Sequence, residues 1–220
     1  MNREIHMGIA QDRRDITDII VRSANLYKSN LIGKTFLYCF DGRFLEVVFR
    51  ASDFLHMTGV ETRLSAHSFY VEAVRGHLRA NQISFSQRHP YELCEMKVVY
   101  LEQLCRLTTS DVLIHEDLTT DTSTYKFGVS DLAFTVCLER CQTLLGNPYF
   151  FIKSLRAGDG INRSRDTYEV DCTLCRNTDC PYFTSVPYID ARYKLNMLPA
   201  SVISRLSPEL KELATAVMPK

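Results

Sequence analysis

Two short stretches of this chain hold residue types that could do chemistry. The first is Phe49 to Gly59, FRASDFLHMTG, which carries the imidazole of His56 and the hydroxyl of Thr58. Phe54, Leu55 and Met57 are apolar enough to hold that segment against a core, and Gly59 permits a sharp change of direction. A histidine so placed can shuttle protons near neutral pH. The competing reading is a hydrogen-bonded structural residue beside a turn, the commoner role of a single histidine.

The second stretch is the basic run Lys153 to Arg165. Lys153, Ser154 and Arg156 precede an Ala-Gly-Asp-Gly segment, and Arg163, Ser164 and Arg165 follow it. Three guanidinium groups and an ammonium around a glycine-containing loop can collect phosphate oxygens, the guanidiniums in bidentate fashion. A solvated loop tip is the plainer reading, since loops are usually exposed and polar. Gly158 and Gly160 lack the Gly-Lys-Ser/Thr ending of a nucleotide phosphate loop, which disfavours nucleoside triphosphate hydrolysis.

Cys172, Cys175 and Cys180 form a third cluster. Paired thiolates at the first of these spacings make a zinc half-site, but four ligands are needed and no second well-spaced pair follows. No metal and no cofactor is therefore expected. Neither a Gly-x-Ser-x-Gly elbow nor a His-Glu-x-x-His pair occurs, so hydrolases of those kinds are not indicated. The mixture of Tyr182, Phe183, Tyr188, Arg192 and Tyr193 could stack bases, although a strand's buried side explains it more simply.

These residues need a scaffold, and the pattern supplies one. Ile16, Ile19, Ile20, Ala24 and Tyr27 recur at helical spacing between Ile9 and Tyr27. TFLYCF and RFLEVVF flank Asp41-Gly42, the strongest short signal for a hairpin with a tight turn. Helices are predicted over Ser65–Ala80, stopping at Asn81, and over Tyr91–Leu107, where Lys97 is assigned to a solvated face. Glu116 to Ser123 reads as loop. Short strands are predicted near Val112–Ile114, Tyr125–Val129, Ala133–Leu138, Tyr149–Ile152, Thr167–Thr173 and Tyr182–Tyr188. Ser207 and Pro208 open a last helix as N-cap and first helical residue. A hairpin, then helices, then a run of strands points to an α+β fold with segregated layers.

The 220 residues are 45% hydrophobic and 24% charged, enough for a full core and one principal domain. The expected division is a single α+β domain over residues 1–195 and a C-terminal helical tail over 196–220. No apolar run approaches the roughly 20 residues of a membrane span, and the polar N-terminus is unlike a secretory signal. A cytoplasmic protein with reduced cysteines, making no membrane contact, is the expectation. Lysine plus arginine equals aspartate plus glutamate at 26 each, which argues against a large uniformly basic surface.

The order of blocks, with RASDFLHMTGV after a hairpin, then RANQISF, YELCEMKVVYLEQLCRL, KFGVSDLAFTVCLE, YFFIKSLRAGDGINRSR, YEVDCTLCRN and YFTSVPYID, resembles the barnase–EndoU–colicin–RelE-like nucleases of phages and mobile elements. The resemblance spans about Leu31 to Asp190. It implies N-terminal helices packed on an antiparallel sheet of about four or five strands, and metal-independent cleavage of RNA through attack of the ribose 2′-OH on its own 3′ phosphate. It further implies His56 as acid or base, Arg156 and Lys153 as phosphate clamp, Ser154 and Thr58 as positioning donors, and Arg163 and Arg165 as further phosphate-binding cations. The partner so implied is RNA, with tRNA one candidate. The alternative is a non-catalytic module, an inhibitor or regulator that binds nucleic acid or a host protein.

Overall fold

The structure, a computed structural model, describes residues 2–141 and 148–215. A long helix, α1 (Asn2–Asn30), leads into strands β1 (Lys34–Phe40) and β2 (Arg43–Val48). Ile16, Ile20, Ala24 and Tyr27 lie along one side of α1 and are buried. The hairpin turn has φ of +49° at Asp41 and +65° at Gly42, the positive pair that a tight turn of this kind requires.

A 3₁₀ turn at Ala51–Asp53 and the short helix α2 (Phe54–Thr58) follow, then β3 (Glu61–Thr62) and α3 (Ala66–Val74). Ser65 caps α3 by accepting from the Ser68 amide. The helix ends earlier than the periodicity predicts. Gly76, at φ +70°, turns the chain before Asn81 is reached. After β4 (Ile83–Ser84) comes α4 (Tyr91–Gln103), tightened into a 3₁₀ turn over Leu104–Thr108.

Strands β5 (Leu113–Thr119), β6 (Thr124–Ser130), β7 (Phe134–Cys141), β8 (Tyr149–Ala157), β9 (Asp166–Glu169), β10 (Cys172–Asn177) and β11 (Ser185–Ile189) complete the sheet. Two stretches predicted as loop are strand. Glu116 to Thr119 belongs to β5, where its carboxylates meet lysine and arginine from neighbouring strands in place of an apolar alternation. Lys153 to Arg156 belongs to β8. Helices α5 (Ala200–Ile203) and α6 (Pro208–Thr215) end the described chain, the latter capped by Ser207, whose Oγ accepts from the Leu210 amide at 3.4 Å.

The fold is α+β. The implied sheet of four or five antiparallel strands is corrected to nine strands in the order β11-β10-β1-β2-β8-β7-β6-β5-β9, with β2 and β8 parallel. The parallel pair follows from the connection: everything from Phe49 to Pro148 lies between the two strands, room for the long crossover that such a pair needs. Only Val170 and Asp171 separate β9 from β10, yet β9 pairs with β5 and β10 with β1. One run of chain thus joins both ends of the sheet and curls it. Phe40 of β1 consequently meets Tyr168 of β9, ring centroids 5.6 Å apart, and Phe127 of β6 at 6.4 Å.

The main core lies between this sheet and the helices. A second core packs Leu37, Cys39, Cys172 and Leu174 against Phe183, Leu198, Val202 and Leu206, so the segment beyond Leu195 is anchored by buried side chains. Cys172 belongs to the second core and Cys175 to the main one, on opposite sides of β10. Sulfurs facing opposite ways cannot share one ion. Among the described residues no group of three His, Cys, Asp or Glu side chains is placed to hold a metal, and no helix is long and apolar enough to cross a membrane.

Candidate functional site

Three elements meet pairwise at one place: α2, α4 and β8. A buried charge fixes their approach. Asp53, before α2, is buried and receives the Arg50 guanidinium at 2.7 Å, and that guanidinium lies 3.4 Å over the Phe151 ring of β8. Tyr27 of α1 donates to the Arg50 carbonyl at 3.0 Å and ties the turn to the longest helix.

His56 is exposed on α2. Thr58 is fully buried: its hydroxyl donates to the Leu55 carbonyl at 2.7 Å and accepts from the Val60 amide at 3.2 Å. Its single proton is committed to the helix end. Thr58 thereby shapes the turn at Gly59, which has φ +77°.

Across that turn lies Lys97 of α4, only 5% exposed, which corrects its assignment to a solvated face. Its stem passes so close that a Cβ built on Gly59 would stand 3.0 Å from Lys97 Cδ. Among the described residues no carboxylate pairs with Lys97. Burial, and after it the positive charge of Arg156, pushes the ammonium pKa below its ordinary value. Sequence periodicity missed Lys97 because α4 is wrapped on more than one side, by α1 and by α2, so its polar positions are not all solvated.

Arg156 belongs to β8. One terminal nitrogen donates to Thr122 Oγ1 at 2.9 Å, while Nε is buried without an acceptor. Ser154, buried two residues earlier, pairs across the ladder with Cys137 of β7. Burial holds the Cys137 thiol up at about 11 despite the Arg156 and Lys97 charges, which excludes a thiolate nucleophile at neutral pH. The junction therefore joins two cations lacking carboxylate partners, a half-hidden hydroxyl and, on the adjoining helix, an exposed imidazole.

The remaining predicted cations are engaged elsewhere. Lys153 pairs with Glu139 at 2.8 Å and Arg163 with Asp121 at 3.3 Å, while Arg165 pairs with Asp117, with Asp166 at 2.7 Å and with Glu116 at 3.4 Å. All three cations are about half exposed, so each pair contributes only roughly 0–1 kcal/mol. Arg156 and Arg163 also line a cleft of about 350 Å³ between the β5–β6 turn and the segment after β8. His56 is not part of its wall. The expected shared cleft between His56 and the whole basic run thus reduces to adjoining elements, with Arg156 as the link.

A curled sheet backed by helices, with unpaired cations where they meet, defines an α+β protein equipped to hold an anion. The chain belongs to the phage-Barnase-EndoU-ColicinE5/D-RelE like nuclease 4 family, whose model matches residues 19–143. That span contains His56, Thr58, Lys97 and Cys137 and stops short of β8. No curated protein and no solved structure matches the chain. Membership in this family marks it as a nuclease-type domain.

Proposed function

We propose that this chain is a metal-independent endoribonuclease of phage or mobile-element origin. The observation that carries the reading is the pairing of Lys97 with Arg156, two cations drawn together without a carboxylate to neutralise them. Such a pair is costly unless an anion completes it. A scissile phosphate is that anion. Lys97 and Arg156 hold its non-bridging oxygens and stabilise the added charge of the phosphorane. The ribose 2′-OH attacks its own 3′ phosphorus, forming the P–O2′ bond as the P–O5′ bond breaks. His56 exchanges a proton with this reaction, taking one from the 2′-OH or giving one to the 5′ oxygen. Ser154 donates to the phosphate, and Lys153, Arg163 and Arg165 receive flanking phosphates by exchanging their weak carboxylate partners. The reading calls for no cofactor, and its substrate is RNA, with tRNA one candidate.

The test is incubation with tRNA and with total RNA in EDTA, with the products analysed for 2′,3′-cyclic phosphate and 5′-hydroxyl ends. His56→Ala, Lys97→Ala and Arg156→Ala should each lower the rate by at least about a hundredfold. A folded wild-type protein that cleaves none of several RNAs would sink the proposal. A non-catalytic module binding nucleic acid or a host protein is the second reading, favoured by the carboxylates already seated on Arg163 and Arg165. In that case Arg156→Ala weakens a complex and turnover is never seen.

A further inference from the structure

The charges around Arg156 are divided unevenly. On the Lys97 side positive charge is unbalanced, as described. On the other side lies the cleft of about 350 Å³, whose charged lining is Arg156, Arg163, Asp121 and Asp159. Two positive and two negative groups leave it neutral. Arg163 is already paired with Asp121, Asp159 accepts the Ile161 amide at 2.9 Å, and the Thr135 hydroxyl donates to the Gly158 carbonyl at 2.6 Å. A second anion would gain little in such a cleft. A neutral, planar, polar group would fit, and the volume is at the low end of the roughly 300–1,000 Å³ of small-molecule sites.

Its form is held from below. A Cβ on Gly160, at φ +75°, would meet Leu118 Cδ1 at 3.1 Å and Thr135 Oγ1 at 3.4 Å, so the segment passes the sheet at a distance only glycine allows. Ser164, just beyond, is tied to the buried His115 at 3.3 Å. Asn162 is exposed, faces the cleft, and makes no hydrogen bond among the described residues. A carboxamide with both donor and acceptor unspent is suited to a base edge, which presents the complementary pair.

We propose that this cleft takes the nucleobase next to the phosphate held by Lys97 and Arg156, with Asn162 reading its edge and Arg156 forming the wall between base and phosphate. The proposal rests on the RNA-cleavage reading and adds the source of its sequence preference. No aromatic ring lines the cleft, so recognition is by edge hydrogen bonds over the Leu118 floor rather than by stacking, and it discriminates among bases.

The experiment titrates the folded full chain with the four nucleoside 3′-monophosphates and with inorganic phosphate, followed by amide NMR shifts. At least one nucleotide should bind tenfold or more tightly than phosphate, with shifts at Gly158, Gly160 and Asn162 and a clear order among the four bases. Asn162→Ala should compress that order to within about threefold, while Lys97→Ala should weaken all four nucleotides by a similar factor. Equal binding of phosphate and all nucleotides, an unchanged order in Asn162→Ala, or no shift at the highest nucleotide concentration reached would each overturn the assignment. Cleavage assays separate the two proposals. Base-selective binding without RNA cleavage removes the nuclease reading and keeps the cleft, whereas cleavage whose sequence preference is untouched by Asn162→Ala removes the cleft alone.

Discussion

Lys97 runs across Gly59 so closely that a methyl group on that glycine would stand 3.0 Å from Lys97 Cδ and 3.5 Å from Cys94 Sγ. Gly59 also holds φ at +77°, where a Cβ costs roughly 1–2 kcal/mol. Gly59→Ala should therefore destabilise the fold by about 1–2 kcal/mol and displace the lysine stem. Urea unfolding measures the first effect. The second is read as a loss of phosphate binding in a protein that remains folded, and unchanged phosphate affinity would refute it.

Stability and activity should part at Lys97 itself. An ammonium buried without a carboxylate partner opposes folding, and its depressed pKa has the same sign: the folded state releases the proton more readily than the unfolded chain. Lys97→Met keeps the stem and removes the charge. We expect unchanged or higher stability, by up to about 1 kcal/mol, together with a rate of RNA cleavage at least about a hundredfold lower. Wild-type stability should also rise with pH toward the ordinary lysine range relative to the variant, since stability lost by holding a depressed-pKa cation is recovered as that proton leaves. A variant that unfolds at markedly lower urea would contradict this account.

What the sequence reveals depends on how local the cause is. The Asp41-Gly42 hairpin, the Ser65 and Ser207 caps and the apolar stripe of α1 are set by neighbouring residues, and each forms as predicted. The exposure of His56 and the strand that carries Arg156 depend on distant segments. Lys97 looks solvated in its own helix and is buried only because α2 turns over it at Gly59. The parallel joining of β2 with β8, and the continuity of β9 into β10 that curls the sheet, leave no periodic trace because no short window contains both partners. Block order could suggest the family, but it could not show that β8 rather than a loop presents Ser154 and Arg156.

The C-terminal segment is pinned by a carboxylate inside the protein. Glu46 of β2, 8% exposed, receives Arg176 of β10 at 2.9 Å through Oε1 and Arg205 through Oε2, with the Phe183 ring near both guanidiniums. Removing the acid leaves two mostly buried cations facing each other. Glu46→Ala should cost roughly 3 kcal/mol, and Glu46→Gln, which keeps an acceptor, clearly less. Protease cutting after Arg192 or Lys194 reports release of the segment. A Glu46→Ala variant as resistant as wild type would show that the second core alone anchors it.

His115 gives the fold its dependence on mild acid. Its ring is fully buried in β5, with Nε2 2.7 Å from Ser130 Oγ and Nδ1 3.1 Å from Thr167 Oγ1 and 3.3 Å from Ser164 Oγ. Burial lowers its pKa to about 4, against only a weak opposing pull from Asp159. Below an unfolded value near 6.5 the unfolded chain binds the proton and the folded one does not, so stability falls with pH from about 6.5 down to about 4 and then levels. At about 1.4 kcal/mol per pH unit the total is on the order of 3 kcal/mol. Because carboxylates also titrate in this window, the measurement is the difference between wild type and His115→Gln in urea midpoints from pH 7.5 to 4. The variant, less stable at neutral pH, should have the shallower profile, and its Ser164 tether should loosen the segment over the cleft. Parallel profiles would assign the acid sensitivity to other groups.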